Sequence, residues 1–118
     1  MQTRQEAIQF CNTLDNVYED YPFHDPNWTV MRHKANGKMF AAIFSRNGQI
    51  WINVKCDPKL TYMWRSGYAA VAPAYHMNKY HWNSIILDGT VPDDAVKTMI
   101  ADSYALTKQK RRANEQDR

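Results

Sequence analysis

The chain has 118 residues, 44% hydrophobic and 13% aromatic, with 15 lysines and arginines against 12 acids. That length suits one domain with a single core, and the composition excludes a disordered chain. No apolar run approaches the roughly 20 residues that cross a bilayer, "MQTRQEAIQF" lacks the basic-then-apolar order of a secretory signal, and two cysteines make no disulfide framework, so a cytoplasmic protein away from membranes is expected.

Thr3 and Glu6 fit a capping box, and Ala7, Cys11, Leu14 and Tyr18 follow at helical spacing. A first helix is therefore predicted over residues 4–20, stopped by Pro22, with Cys11 on its buried stripe. Three apolar runs follow, "NWTVMRHK", "KMFAAIFS" and "QIWINVKC", separated by Asn36-Gly37 and Asn47-Gly48. Asn-Gly suits type I′ turns because both residues tolerate positive φ, so the runs read as a three-stranded meander, with Cys56 ending its third strand. "DPKLTYMWRSG" reads as a second helix, with Asp57 as N-cap, Pro58 in the first turn and Gly67 as C-cap. "YAAVAPAYHM" is weakly strand-like, and Pro73 places it at an edge or a bend. "NSIILDG" is a short strand starting at Trp82. "VPDDAVKTMIADSYALTKQKRR" is the last helix, opened by Pro92, Asp93 and Asp94. Its stripe is Val96, Met99, Ile100, Ser103 and Leu106–Thr107, and Lys108 to Arg112 lie at its negative end. The order α-β-β-β-α-β-β-α indicates an α+β fold, a two-layer sandwich of an antiparallel sheet and helices. It fills one domain over residues 1–112, with a frayed tail at 113–118.

The net charge of +3 hides a segregation. Residues 1–27 hold one base against five acids, whereas residues 28–79 hold eight bases against Asp57 alone. Residues 80–107 return to one base against four acids, and 108–118 add five bases and two acids. A basic middle third is a better pointer to a polyanionic partner than the overall balance. By strand alternation, Arg32, Lys34, Lys38, Arg46 and Lys55 share one sheet face with Phe40, Phe44 and Trp51. If that face points away from the helices, its bases would hold phosphates, joined by Lys79, while Phe44 and Trp51 stack unpaired bases. A non-catalytic DNA- or nucleic-acid-binding protein is therefore expected. The alternative is an accessory domain that binds a protein partner or small ligand, or homodimerises, through the same face. β-Bulges would change which residues share it.

"AYHMNKYHWNSIILDG" concentrates histidines and aromatics. His76 and His81 are five apart, with no cysteine or carboxylate at zinc-ligand spacing, so neither a metal nor another cofactor is expected. No nucleophile, paired carboxylate or phosphate loop accompanies them, which argues against an enzyme. A tight loop is the simpler reading, in which His and Asn side chains satisfy backbone groups while Tyr75, Tyr80 and Trp82 pack.

The run "YHMNKYHWNSIILDGTVPDD" followed by "IADSY" resembles the signature of the MmcQ/YjbR-like proteins, and "GKMFAAI" and "VKCDP" resemble the family's earlier pattern. The aligned positions are His76, Met77, Asn78, Lys79, His81, Trp82, Leu87, Asp88, Gly89, Pro92, Asp93, Ser103 and Tyr104. The resemblance implies a small bacterial cytoplasmic domain with a CyaY-like or "double-wing" fold, often labelled DNA-binding, in which the two Asn-Gly hairpins would serve as wings. It implies no catalytic residue. The helix-sheet-helix resemblance to frataxin-like proteins raises iron binding, but those proteins use an acidic first helix and strand edge, whereas here the first helix offers only Glu6, Asp15, Glu19 and Asp20 and the sheet is basic.

Overall fold

The computed structural model describes residues 1–108. The tail predicted at 113–118, and the part of the last helix predicted beyond Lys108, lie outside the described residues. A six-stranded antiparallel sheet in the order β1-β2-β3-β4-β6-β5 carries helices α1, α2 and α3 on one face. The elements are α1 (Arg4–Cys11), β1 (Val17–Asp20), β2 (Thr29–His33), β3 (Met39–Arg46), β4 (Gln49–Lys55), α2 (Pro58–Gly67), β5 (Val71–Pro73), β6 (Trp82–Ile86) and α3 (Asp93–Thr107). The α+β sandwich is as expected; the order gains one strand.

That strand corrects the first helix. The capping box forms as expected, Thr3 accepting from the Glu6 backbone and Glu6 from the Thr3 backbone. The helix nevertheless ends at Cys11, because "NTLDN" is poor in helix formers and Asn16 takes a left-handed φ of 61°. Val17 to Asp20 then pair with His33 to Val30. Leu14 and Val17 still pack against the core, so their spacing served a turn and a strand as well as it would have served a helix.

The hairpins differ. Asn47 and Gly48 have φ of 53° and 75°, as a type I′ turn requires. The Asn36-Gly37 connection is longer, since β2 ends at His33 and β3 starts at Met39. Only Gly37 has positive φ there, and the Asn36 side chain accepts from Lys38 N while donating to Thr107 O. Asn36 thus ties the turn to α3 instead of forming a type I′ pair. Asp57 caps α2 through the Lys59 backbone N–H. Gly67, expected as its C-cap, is the last helical residue, and Tyr68 is the cap.

The core lies between sheet and helices. Ile43, Ile52, Val54 and Ile85 face Ala7, Ile8, Cys11, Val96, Met99 and Ile100. A bulge between Met31 and Arg32 leaves Phe40 outside the regular pairing. It turns Phe40 to the helical side, where the ring meets His33 and Tyr104. This corrects the expectation that Phe40 shares a face with Phe44. Ser103 closes the joint: its hydroxyl donates to Phe40 O (2.6 Å) and accepts from Lys55 N (2.8 Å).

Candidate functional site

The face away from the helices is partly roofed by two connecting segments, 21–28 and 74–81. Asn27 fixes the first. Its side chain accepts from Ser45 N and donates to Ser45 O, extending the edge of β3 like one more pairing residue. Arg4 grips the same asparagine from α1, reaching Asn27 O, Asn27 Oδ1 and Ile43 O. The ring of the next residue, Trp28, then stacks on Phe44 with centroids 4.1 Å apart, and Phe23 meets Trp28 edge-on.

The second segment hangs on an amide–hydroxyl pair on the sheet. Asn53 Nδ2 donates to Tyr75 O at 2.8 Å, Tyr75 N donates to Ser84 Oγ at 2.9 Å, and Ser84 in turn donates to Asn53 Oδ1. The Tyr75 ring lies against Phe44 and Trp51, and the Arg46 guanidinium sits 4.3 Å from the Tyr75 ring and 4.8 Å from Trp51. Further along, Asn78 Oδ1 accepts from Tyr80 N and His81 N. The loop reading holds for Asn78 and Tyr75. The ring of Tyr80 is exposed, and the backbone of His81, not its imidazole, ties the loop to Cys56 N.

These contacts correct the stacking reading. Phe44 is 1% exposed and Trp51 9%, so neither offers a face to a base. The bases are not one surface either. Arg32 is paired with Asp20 (2.7 Å) and with Gly37 O. Lys34 and Lys38 are exposed around the first hairpin, and half-buried Lys55 ends β4 on the same side of the sheet. Arg46 ends β3 at the opposite end of the sheet, roughly 24 Å away at strand spacing. The Lys79 ammonium donates to Ala74 O and closes its own loop.

Between the two segments runs a groove of about 360 Å³, lined by Phe23, Trp28, Val30, Met39, Ala42 and Met77, with Asp25 and His76 at its rim. Asp25, Trp28 and His76 also line an adjoining polar recess of about 240 Å³, completed by Asn27, Ser45, Arg46 and Tyr75. The floor comes from the small outward residues Val30 and Ala42, which pair across β2 and β3. His76 holds a left-handed φ of 61°, which costs a non-glycine residue roughly 1–2 kcal/mol. Sequence reasoning missed Phe23, Asn27 and Arg4 here, though strand alternation put Trp28 and Val30 on one face; "DPN" before Trp28 was the available turn signal. A second cleft, of about 250 Å³, separates α2 from α3 beside Leu60, Trp64 and Leu106. Among the described residues, no three His, Cys, Asp or Glu side chains gather as metal ligands, and no helix is long and apolar enough to cross a membrane.

The other motif positions hold the scaffold. Asp88 Oδ1 accepts from the Thr90 hydroxyl and then its backbone N–H, which lowers the carboxyl's pKa, and Gly89 supplies a φ of 88°. Pro92 precedes α3 as its N-cap. Half-buried Trp82 opens β6 opposite Lys55. Tyr104 donates from its hydroxyl to Asp15 O, holding the turn after α1.

Comparison with known proteins agrees with this architecture. A family model described as YjbR matches residues 12–106. Protein YyaQ of Bacillus subtilis (strain 168) is 33% identical over 92% of this chain and 100% of its own, and YjbR of Escherichia coli (strain K12) is 26% identical over 86% and 84%. The crystal structure of DR2400 from Deinococcus radiodurans, a DUF419 domain, superposes with a TM-score of 0.84 at 30% identity, covering 99% of this chain and 87% of that one. A crystal structure from Pseudomonas syringae gives 0.80 at 30% identity, over 90% and 99%. Matched along most of its length in sequence and fold, this chain belongs to the YjbR family.

Proposed function

We propose that this protein is a non-catalytic cytoplasmic binding module that takes a small ligand in the groove between segments 21–28 and 74–81. The observation that carries the reading is the groove itself, an open apolar slot on a sheet face whose neighbouring aromatic rings are already packed. Its volume of about 360 Å³ falls in the range of small-molecule sites. Its walls are held by Asn27 and Asn53 hydrogen bonds to backbone, so the slot is formed before any ligand arrives. Two motif residues, His76 and Met77, line it, and His76 keeps a side chain on a backbone that glycine would adopt without strain.

The test is titration of the ¹⁵N-labelled protein with a neutral apolar probe, 2-naphthalenemethanol. Amide shifts should cluster at Trp28, Ala42 and Met77. Ala42→Leu, which fills the floor, should abolish them. Shifts elsewhere, or none, would overturn the reading.

A second reading, contact with nucleic-acid phosphates, is favoured by one observation: Lys34, Lys38 and Lys55 share one end of the sheet. It needs no ring to stack and is independent of the groove.

A further inference from the structure

We infer that the groove's ligand is a small organic anion, with a flat apolar body in the slot and an acid group on Arg46; the inference rests on the small-ligand reading above. The Arg46 guanidinium carbon lies 4.3 Å from the Tyr75 ring centroid and 4.8 Å from that of Trp51, contacts that use none of its N–H groups. Among the described residues it makes no side-chain hydrogen bond and has no carboxylate within ion-pair reach, in contrast to Arg32, which has Asp20. A half-buried guanidinium packed on two rings, with free donors, is suited to hold a carboxylate or phosphate by two parallel hydrogen bonds. It stands in the polar recess, which shares Trp28 and His76 with the apolar groove, so head and body sites are continuous.

One group opposes this. Asp25 lines both cavities, and its carboxylate would repel an anion or attract a cation onto the rings. Asp25 is exposed, and its Oδ1 already accepts from Asn27 N at 2.9 Å, so water and its own turn satisfy it. Arg46 is the less solvated charge and therefore the stronger one for a ligand lying between them.

The experiment measures four probes of one shape on the full chain: 2-naphthoate, 2-naphthyl phosphate, neutral 2-naphthalenemethanol and cationic 2-naphthylmethylammonium. At least one anion should bind about tenfold tighter than the alcohol. The ratio between the two acids tells carboxylate from phosphate. Arg46→Gln should bring the anion's affinity down to that of the alcohol, and amide shifts at Trp28, Ala42 and Met77 on adding the alcohol to this variant report that the groove is intact. Asp25→Asn, at an exposed site, should tighten both anions. Equal binding of anion and alcohol, preference for the cation, or no tightening in Asp25→Asn would overturn the anion inference and leave the groove reading standing. Failure of every probe to shift the groove's amides would overturn both.

Discussion

Asn53 donates to the Tyr75 carbonyl, and this 2.8 Å hydrogen bond, together with the one from Tyr75 N to Ser84, holds to the sheet the segment that covers its outer face. Asn53 is fully buried, and its other side-chain atom accepts from Ser84. Asn53→Ala leaves two polar groups without their partner, at a cost of about 1–3 kcal/mol. The loss should appear as a lower urea midpoint. Tyr75 should also lift from Trp51, so the Trp51 indole becomes accessible to acrylamide before global unfolding. A variant with lowered stability and an unchanged quenching profile would show that other contacts hold the segment.

How far the sequence revealed this arrangement depends on the range of the signal. Local chemistry was readable: the Thr3–Glu6 box, the Asp57 cap, the Asn47-Gly48 turn and the acidic start of α3 each follow from two to four adjacent residues. The apolar stripe of α3 held as well, save that Leu106 is exposed. What failed was parity across a distance. One bulge at Met31/Arg32 moved Phe40 to the opposite face. Asn53 and Ser84 drew a loop over Phe44 and Trp51, and neither residue's partner is close in sequence. The groove needs Trp28, Ala42 and Met77 together, three residues on separate elements that no local pattern connects.

Cys11 is fully buried, and burial pushes its thiol pKa up to about 12. At pH 8 the native protein should therefore leave Cys11 unmodified by iodoacetamide, since only the thiolate reacts. Cys56 is also buried, its pKa raised by the same cause, and should react slowly. Both should alkylate rapidly in denaturant. Peptide mass spectrometry after a short pulse reads the two sites separately, and native labelling of Cys11 would show that α1 opens on its own.

His33 gives the fold an acid-sensitive joint. The Thr107 hydroxyl donates to Ser103 O, which leaves its oxygen to accept from Nε2 of His33 (2.8 Å). The ring packs between Phe40 and Tyr104, and burial, assisted by the Lys108 charge, lowers its pKa below the ordinary value of 6.5. The folded state thus prefers neutral histidine. Its contribution is complete above pH 6.5 and is lost as pH falls through that value toward the lower folded pKa. Thermal midpoints of the wild type should fall between pH 7.5 and pH 5. His33→Gln should be less stable at pH 7.5 and should lose less over the same interval. Parallel pH curves for the two proteins would remove His33 as the cause.

The phosphate-binding reading has a salt signature that separates it from the groove. Six contacts, as the basic residues suggest when taken together, would give a log–log slope near roughly −5 on duplex DNA; three lysines at one end give about −3. The structure supports the smaller figure, because Arg32 is paired with Asp20, Arg46 stands at the far end of the sheet, and Lys79 donates to its own loop. Fluorescence anisotropy of a labelled duplex between 25 and about 200 mM salt should yield that slope, reduced by about one unit in each of Lys34→Ala and Lys38→Ala. Arg46→Gln should leave it unchanged. A slope that Arg46→Gln reduces as much as Lys34→Ala would place DNA on the groove side and join the two sites into one. No binding at the lowest salt would dispose of the phosphate reading and leave the small-ligand groove standing.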